Sequence, residues 1–136
     1  MARMKNKKKR LEISEEINIV EAASEAMIFA QIAGFTRVGQ HMVATAVSEL
    51  ARNIYLYAMK GEVTIRVLER ETNKGIEIVA EDNGPGIADI GAAMKDHFST
   101  SDSLGLGLPG VKRLMDEFGI DTKRGVGTKI TVRKWV

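Results

Sequence analysis

Four short stretches carry polar side chains and glycines at spacings that could do chemistry. The first is Glu49-Leu50-Ala51-Arg52-Asn53. On a helix, residues four apart lie on one face, one turn separated, so Glu49 and Asn53 would project together. A carboxylate so placed can accept a proton, and an amide oxygen is a hard ligand suited to Mg²⁺. The plainer reading is a polar pair on a solvated helix face, because short motifs match by chance. The second stretch is Glu81-Asp82-Asn83-Gly84-Pro85-Gly86, at the end of an alternating segment. Its composition satisfies a tight turn. Asp82, however, points to the same side as Ala80, which looks buried, and a carboxylate there needs a donor; the exocyclic amine of an adenine would serve. Gly84 and Gly86 would let backbone approach a flat ring closely.

The third stretch, Gly105-Leu106-Gly107-Leu108-Pro109-Gly110, follows Phe98-Ser99-Thr100-Ser101-Asp102-Ser103. It matches G-x-G-x-x-G, yet a dinucleotide loop should follow a buried strand and a polar run precedes this one. What remains is an anion site: backbone N–H groups of Gly105 to Leu108 at the start of a helix, with the hydroxyls of Ser99 and Thr100 as further donors for a phosphate chain. A loop ending in a helix cap is the alternative. The fourth stretch, Gly125-Val126-Gly127-Thr128, reads by itself as a hairpin turn. His41 on an amphipathic helix and His97 in the loop read as satisfied or solvated side chains.

The elements that must position these residues are legible in the hydrophobic pattern. Arg10 to Ser14 alternates as a short strand, and Ser14 can cap a helix starting near Glu15 or Glu16 and stopping at Gly34. A second helix runs from about Thr36 to Met59, with Val43, Val47, Leu50 and Ile54 as its buried stripe. The period then changes to two over residues 62–70 and 76–80, around a turn at Thr72 to Gly75. A loop interrupted by a short helix over residues 88–95 leads to a helix opened by Pro109, with Val111, Leu114, Met115 and Phe118 on one side and Gly119 as its stop. Residues 120–123 and 128–135 make a last hairpin. The order β-α-α-β-β-α-α-β-β predicts an α+β two-layer sandwich, a mostly antiparallel sheet with helices on one face.

Composition bounds the rest. The 136 residues are 44% hydrophobic and 28% charged, which suits one folded domain. The absence of cysteine excludes a disulfide or a Cys-based zinc site. No run approaches the roughly 18 apolar residues of a membrane span, and no apolar stretch follows the basic N-terminus as in a signal peptide, so a cytoplasmic protein is expected. The net charge of +2 is uneven: residues 1–10 hold six of the 20 basic side chains and no acid, leaving 14 basic against 18 acidic groups beyond. Residues 1–10 therefore read as a basic, disordered tail, and residues 11–136 as the domain. Such a tail can hold nucleic acid by counterion release, but the domain has no basic stripe and only 5% aromatic residues, so no specific nucleic acid is expected.

Taken together and in this order, the four stretches resemble the GHKL ATPase superfamily over residues 11–136. Glu49 and Asn53 match its N-box, Asp82, Gly84 and Gly86 its G1 box, Gly105 to Leu108 its G2 box and ATP lid, and Gly127-Thr128 the Gly-Thr that closes its adenine pocket. A closer resemblance, to the RsbT-type switch kinases, is carried by SELARNIYLYA (48–58), AEDNGPGI (80–87), FSTS (98–101), GLPGVKRLMDEFG (107–119) and the terminal KW (134–135). That resemblance implies a Bergerat-type fold and a cytoplasmic serine/threonine-protein kinase. It would use ATP and Mg²⁺ to phosphorylate STAS-domain proteins (RsbS/RsbR-like) of a stressosome, then leave to activate a downstream output enzyme. It further implies Glu49 as general base, Asn53 as Mg²⁺ ligand, and Asp82 with Thr128 at the adenine. The alternative is an anti-sigma factor of the RsbW/SpoIIAB type. No separate helical hairpin carries a phosphoacceptor His, which argues against a two-component histidine kinase.

Overall fold

The computed structural model describes residues 8–87 and 107–136. Within them run β1 (Lys8–Ile13), α1 (Ile17–Ala33), α2 (Arg37–Tyr57), β2 (Gly61–Glu69), β3 (Lys74–Asp82), α3 (Gly107–Leu114), β4 (Glu117–Lys123) and β5 (Gly127–Trp135). The five strands form one sheet in the order β1-β2-β3-β5-β4, antiparallel throughout. This is the α+β layering that the pattern predicts.

Register decides which side chains meet the helices. Directly opposed residues share a face in an antiparallel ladder. The chain of partners Leu11–Val63–Ala80–Ile130–Ile120 and its neighbour Ile65–Ile78–Val132–Phe118 therefore line one face. That face is apolar, and α1 and α2 cover it. The stripe Val43, Val47, Leu50 and Ile54 of α2 is buried there, as its spacing predicts. Each such side chain removed from water contributes about 1.5–3 kcal/mol.

The caps show why the helices sit where they do. α2 begins after Thr36, whose hydroxyl accepts the Gly39 N–H at 3.2 Å. α1 begins later than its sequence suggests, and Ser14 is not its cap. Instead the Asn18 side chain reaches back to accept the N–H groups of Ser14 and Glu15 at 3.0 and 2.9 Å. Gly34 ends α1 in the left-handed region, at φ 103°.

Two further elements differ in extent from the sequence-based expectation, and the partner strand decides each. Lys8 and Lys9, expected in the tail, join Arg10 in the first half of β1, because pairing with Arg66 and Ile65 of β2 extends the edge strand. Lys9 also lies 3.7 Å from Glu25 of α1. Helix α3 starts at Gly107 and stops at Leu114 instead of running from Pro109 to Gly119. The Leu114 carbonyl accepts the Lys134 ammonium at 2.9 Å, and Asp116 N–H donates to the Arg133 carbonyl, so β5 captures the chain and Phe118 and Gly119 become strand. The short helix expected over residues 88–95 lies outside the described residues.

The other sheet face is polar and carries one buried charge. Glu77, 6% exposed, lies between Arg66 and Arg133 on the flanking strands, at 2.7 and 2.8 Å. Arg133 continues the row to Glu117, which accepts the Trp135 indole N–H. Burial alone would push the Glu77 carboxyl up, but the hydrogen bonds and charges of the two guanidinium groups outweigh it and hold it below the usual carboxylate range. The stabilisation is therefore complete at neutral pH and is lost as pH falls through the ordinary carboxylate value and then the lowered one. Glu77→Gln should lower unfolding free energy by about 1.5–3 kcal/mol near neutral pH. Urea titrations repeated in acid should find the gap to wild type closing.

Candidate functional site

Part of the candidate site lies where β3 ends, beside the C-terminal end of α2. Asp82, the last residue of β3, opposes Gly61 of β2 on one side and Thr128 of β5 on the other. It therefore points toward the helices, like Ala80, which is 4% exposed. A Cβ added at Gly61 would strike Ile54 of α2 and approach the Asp82 Cβ, so α2 and Asp82 meet across that glycine. Gly84 lies against Ala58, just past the end of α2, where a side chain would not fit. The helix carrying Glu49 and Asn53 thus runs along the same face that presents Asp82.

At the strand end, backbone and side-chain polar groups fix one another. The Asp82 Oδ1 accepts the Gly84 N–H at 2.8 Å. Thr128 opposes Thr122 of β4, and their hydroxyls are 2.8 Å apart. Thr122 also accepts the Ile87 N–H at 2.9 Å and donates to the Gly127 carbonyl at 3.2 Å. Gly125 N–H donates to the Pro85 carbonyl, tying the β4–β5 turn to the Asn83–Gly86 loop. Gly127 is required here: its φ is 146°, and a Cβ would collide with the Asp82 carbonyl oxygen. A cleft of about 840 Å³ opens over these strand ends, lined by Asp82, Gly127 and Thr128 and also by Glu62, Glu81 and Lys129 of the opposite, polar sheet face. Glu49, Asn53 and α3 lie outside that lining.

Glu49 lies on the inner side of α2, only 6% exposed. A buried carboxylate requires donors. Arg52, one turn along, donates from Nη1 to Glu49 Oε1 at 3.0 Å, and the backbone N–H of Gly107, the first residue of α3, reaches Oε2 at 3.4 Å. Asn53 is half-buried beside them. Leu108 is buried and follows Gly107 in α3.

Of the residues singled out by type and spacing, the structure sets Asp82, Gly84, Gly86 and Thr128 together at the strand ends and Glu49 against Gly107, with Asn53 on the same helix as Glu49 and Leu108 next in α3. Ser99, Thr100, Gly105 and Leu106 lie outside the described residues, as does His97; His41 is exposed. Two participants escaped the sequence reading. Thr122 has no motif of its own, and only the β4–β5 register places it against Thr128. Arg52 was legible as part of the first stretch, but its contact with Glu49 depends on the carboxylate being buried.

A profile of the histidine kinase-, DNA gyrase B- and HSP90-like ATPase family matches residues 39–135. The chain is 52% identical over 124 residues to the serine/threonine-protein kinase RsbT of Bacillus subtilis (strain 168), covering 91% of this chain and 93% of that protein. It is 31% identical over 100 residues to an anti-sigma F factor of Caldanaerobacter subterraneus subsp. tengcongensis, covering 69% and 68%. In fold it is similar to a chain of the SiaB–SiaC complex from Pseudomonas aeruginosa, with a TM-score of 0.59 at 13% identity over 99% of this chain and 93% of that one.

Proposed function

Because the chain belongs to the histidine kinase-, DNA gyrase B- and HSP90-like ATPase family and is an ATP-dependent serine/threonine-protein kinase, we propose that it is a switch kinase of a bacterial stress pathway. In this reading it phosphorylates STAS-domain proteins of a stressosome in the cytoplasm and then binds a downstream output enzyme. No helix among the described residues is long and apolar enough to cross a membrane. The observation that carries the reading is the Glu49 carboxylate, buried at the inner face of α2 with one oxygen held and the other facing the first N–H of α3.

The residues present suit magnesium-ATP. Asp82 offers a carboxylate with one oxygen engaged by Gly84 N–H, leaving the other to accept the adenine amine. Thr128, linked to Thr122, stands directly across the ladder to assist. Asn53 provides a hard amide oxygen, and Mg²⁺ commonly takes one or two protein ligands with the remainder from phosphate and water. When bound, the metal supplies positive charge to the phosphate oxygens. The N–H groups of Gly107 and Leu108 would face the phosphate chain, with Ser99, Thr100, Gly105 and Leu106 extending that cradle. Glu49 would take the proton of an incoming serine or threonine hydroxyl while its oxygen bonds to the γ-phosphorus and the bond to the β-phosphate oxygen breaks. Phosphoryl transfer needs mainly positioning and charge stabilisation, which a domain of this size can provide.

Radiolabelled ATP incubated with the protein and purified STAS domains tests the proposal. Label should pass to a STAS serine or threonine with Mg²⁺ and not with chelator. Absence of transfer to any STAS protein of the same organism, together with a sigma subunit co-purifying from lysate, would instead establish the anti-sigma reading, which the 31% identity favours as the second possibility.

A further inference from the structure

We infer that Arg52 is a positioning residue for phosphoryl transfer: it holds the Glu49 carboxylate so that Oε2, and not Oε1, receives the substrate proton. The inference rests on Glu49 being the base, as proposed above. Its starting point is an asymmetry between the two carboxylate oxygens. Oε1 is engaged by the Arg52 guanidinium at 3.0 Å, a charge-assisted bond of full strength. Among the described residues, Oε2 meets only the Gly107 N–H at 3.4 Å, near the limit at which a hydrogen bond retains strength. A substrate hydroxyl can displace the second contact far more readily than the first.

Sequence spacing makes this division of labour possible. Arg52 at i+3 and Asn53 at i+4 both lie beside Glu49 on the helix surface, so one residue can hold the carboxylate while the next faces a metal. The Glu49 side chain is 8% exposed and that of Arg52 is 34% exposed, so the guanidinium bridges from the solvated rim of α2 to a buried acid. Among the described residues, Arg52 is the cation that reaches Glu49 within ion-pair distance. Without it, a buried carboxylate would retain one long donor, free to rotate away from the productive geometry. A displacement of that kind, of about 1 Å, can cost on the order of 100-fold in rate.

Single-turnover transfer from radiolabelled magnesium-ATP to a STAS-domain protein that accepts phosphate from wild type tests this, alongside calorimetric ATP binding. Arg52→Ala should slow transfer about 10- to 100-fold with ATP affinity unchanged and the fold retained, at a lower melting temperature because a buried carboxylate loses a donor. Arg52→Lys should recover most of the loss, since one N–H contact is needed and an ammonium can make it. In a Glu49→Gln background, Arg52→Ala should cost nothing further, because its effect passes through the carboxylate. Should Arg52→Ala fail to fold, Arg52→Gln, which preserves most of the stem, is read in the same way. Wild-type transfer by Arg52→Ala would overturn the inference. So would a loss of ATP affinity matching the loss in rate, which would make Arg52 a phosphate ligand, or full additivity with Glu49→Gln. Undiminished transfer by Glu49→Gln alone removes the base assignment, and this inference with it.

Discussion

Glu49→Gln should bind magnesium-ATP as wild type does and transfer phosphate about 10²- to 10⁴-fold more slowly, the usual contribution of a positioned general base. The substitution is nearly isosteric, so the inner face of α2 should pack as before around Leu50 and Ile54. The Gln carbonyl can still accept from either Arg52 or the Gly107 N–H. What disappears is the capacity to take a proton. Calorimetry gives the affinity, and a single-turnover transfer assay gives the rate. Transfer at the wild-type rate would end the case for Glu49 as base, whereas loss of ATP binding would assign the residue to nucleotide or metal instead.

Asp82→Asn should weaken ATP binding by about 10- to 100-fold, the equivalent of one hydrogen bond to a charged acceptor. Asn can preserve the local turn, because its amide oxygen still accepts the Gly84 N–H where Asp82 Oδ1 does now at 2.8 Å. Its NH₂ group then replaces the second carboxylate oxygen, so two donors face each other where the adenine amine would arrive. The melting temperature without nucleotide should barely change, which separates this outcome from unfolding. Titration of ATP into the variant reads the effect directly. An unchanged affinity would mean that the purine sits away from Asp82 and Thr128.

These predictions differ in how far the sequence alone supports them. That Glu49 and Asn53 share a helix face follows from the helical period, and the stripe of Val43, Val47, Leu50 and Ile54 orients that helix on the core. That Asp82 ends an inward-facing alternation follows from the period of a strand, and Ala80 is indeed buried. Both are local regularities, and they survive folding because the core is built from them. Boundaries that depended on a partner strand were misread. Lys8 and Lys9 look like solvated tail until β2 is present to pair with them, and Phe118 continues a helical stripe until β5 claims it.

The order of the described elements, the inward faces of α2 and β3, and the motif residues on those faces are all legible along the chain. Periodicity is a property of neighbours along the chain, so it can be read there. Only the tertiary structure decided what stands opposite what. The register of β4 on β5 sets Thr122 against Thr128, the flanking strands enclose Glu77 between two arginines, and the approach of α3 to α2 leaves Glu49 buried with Arg52 on one oxygen and Gly107 on the other. Those contacts join residues up to 58 positions apart, and their geometry follows from how a sheet pairs and how helices pack upon it, which no local spacing encodes.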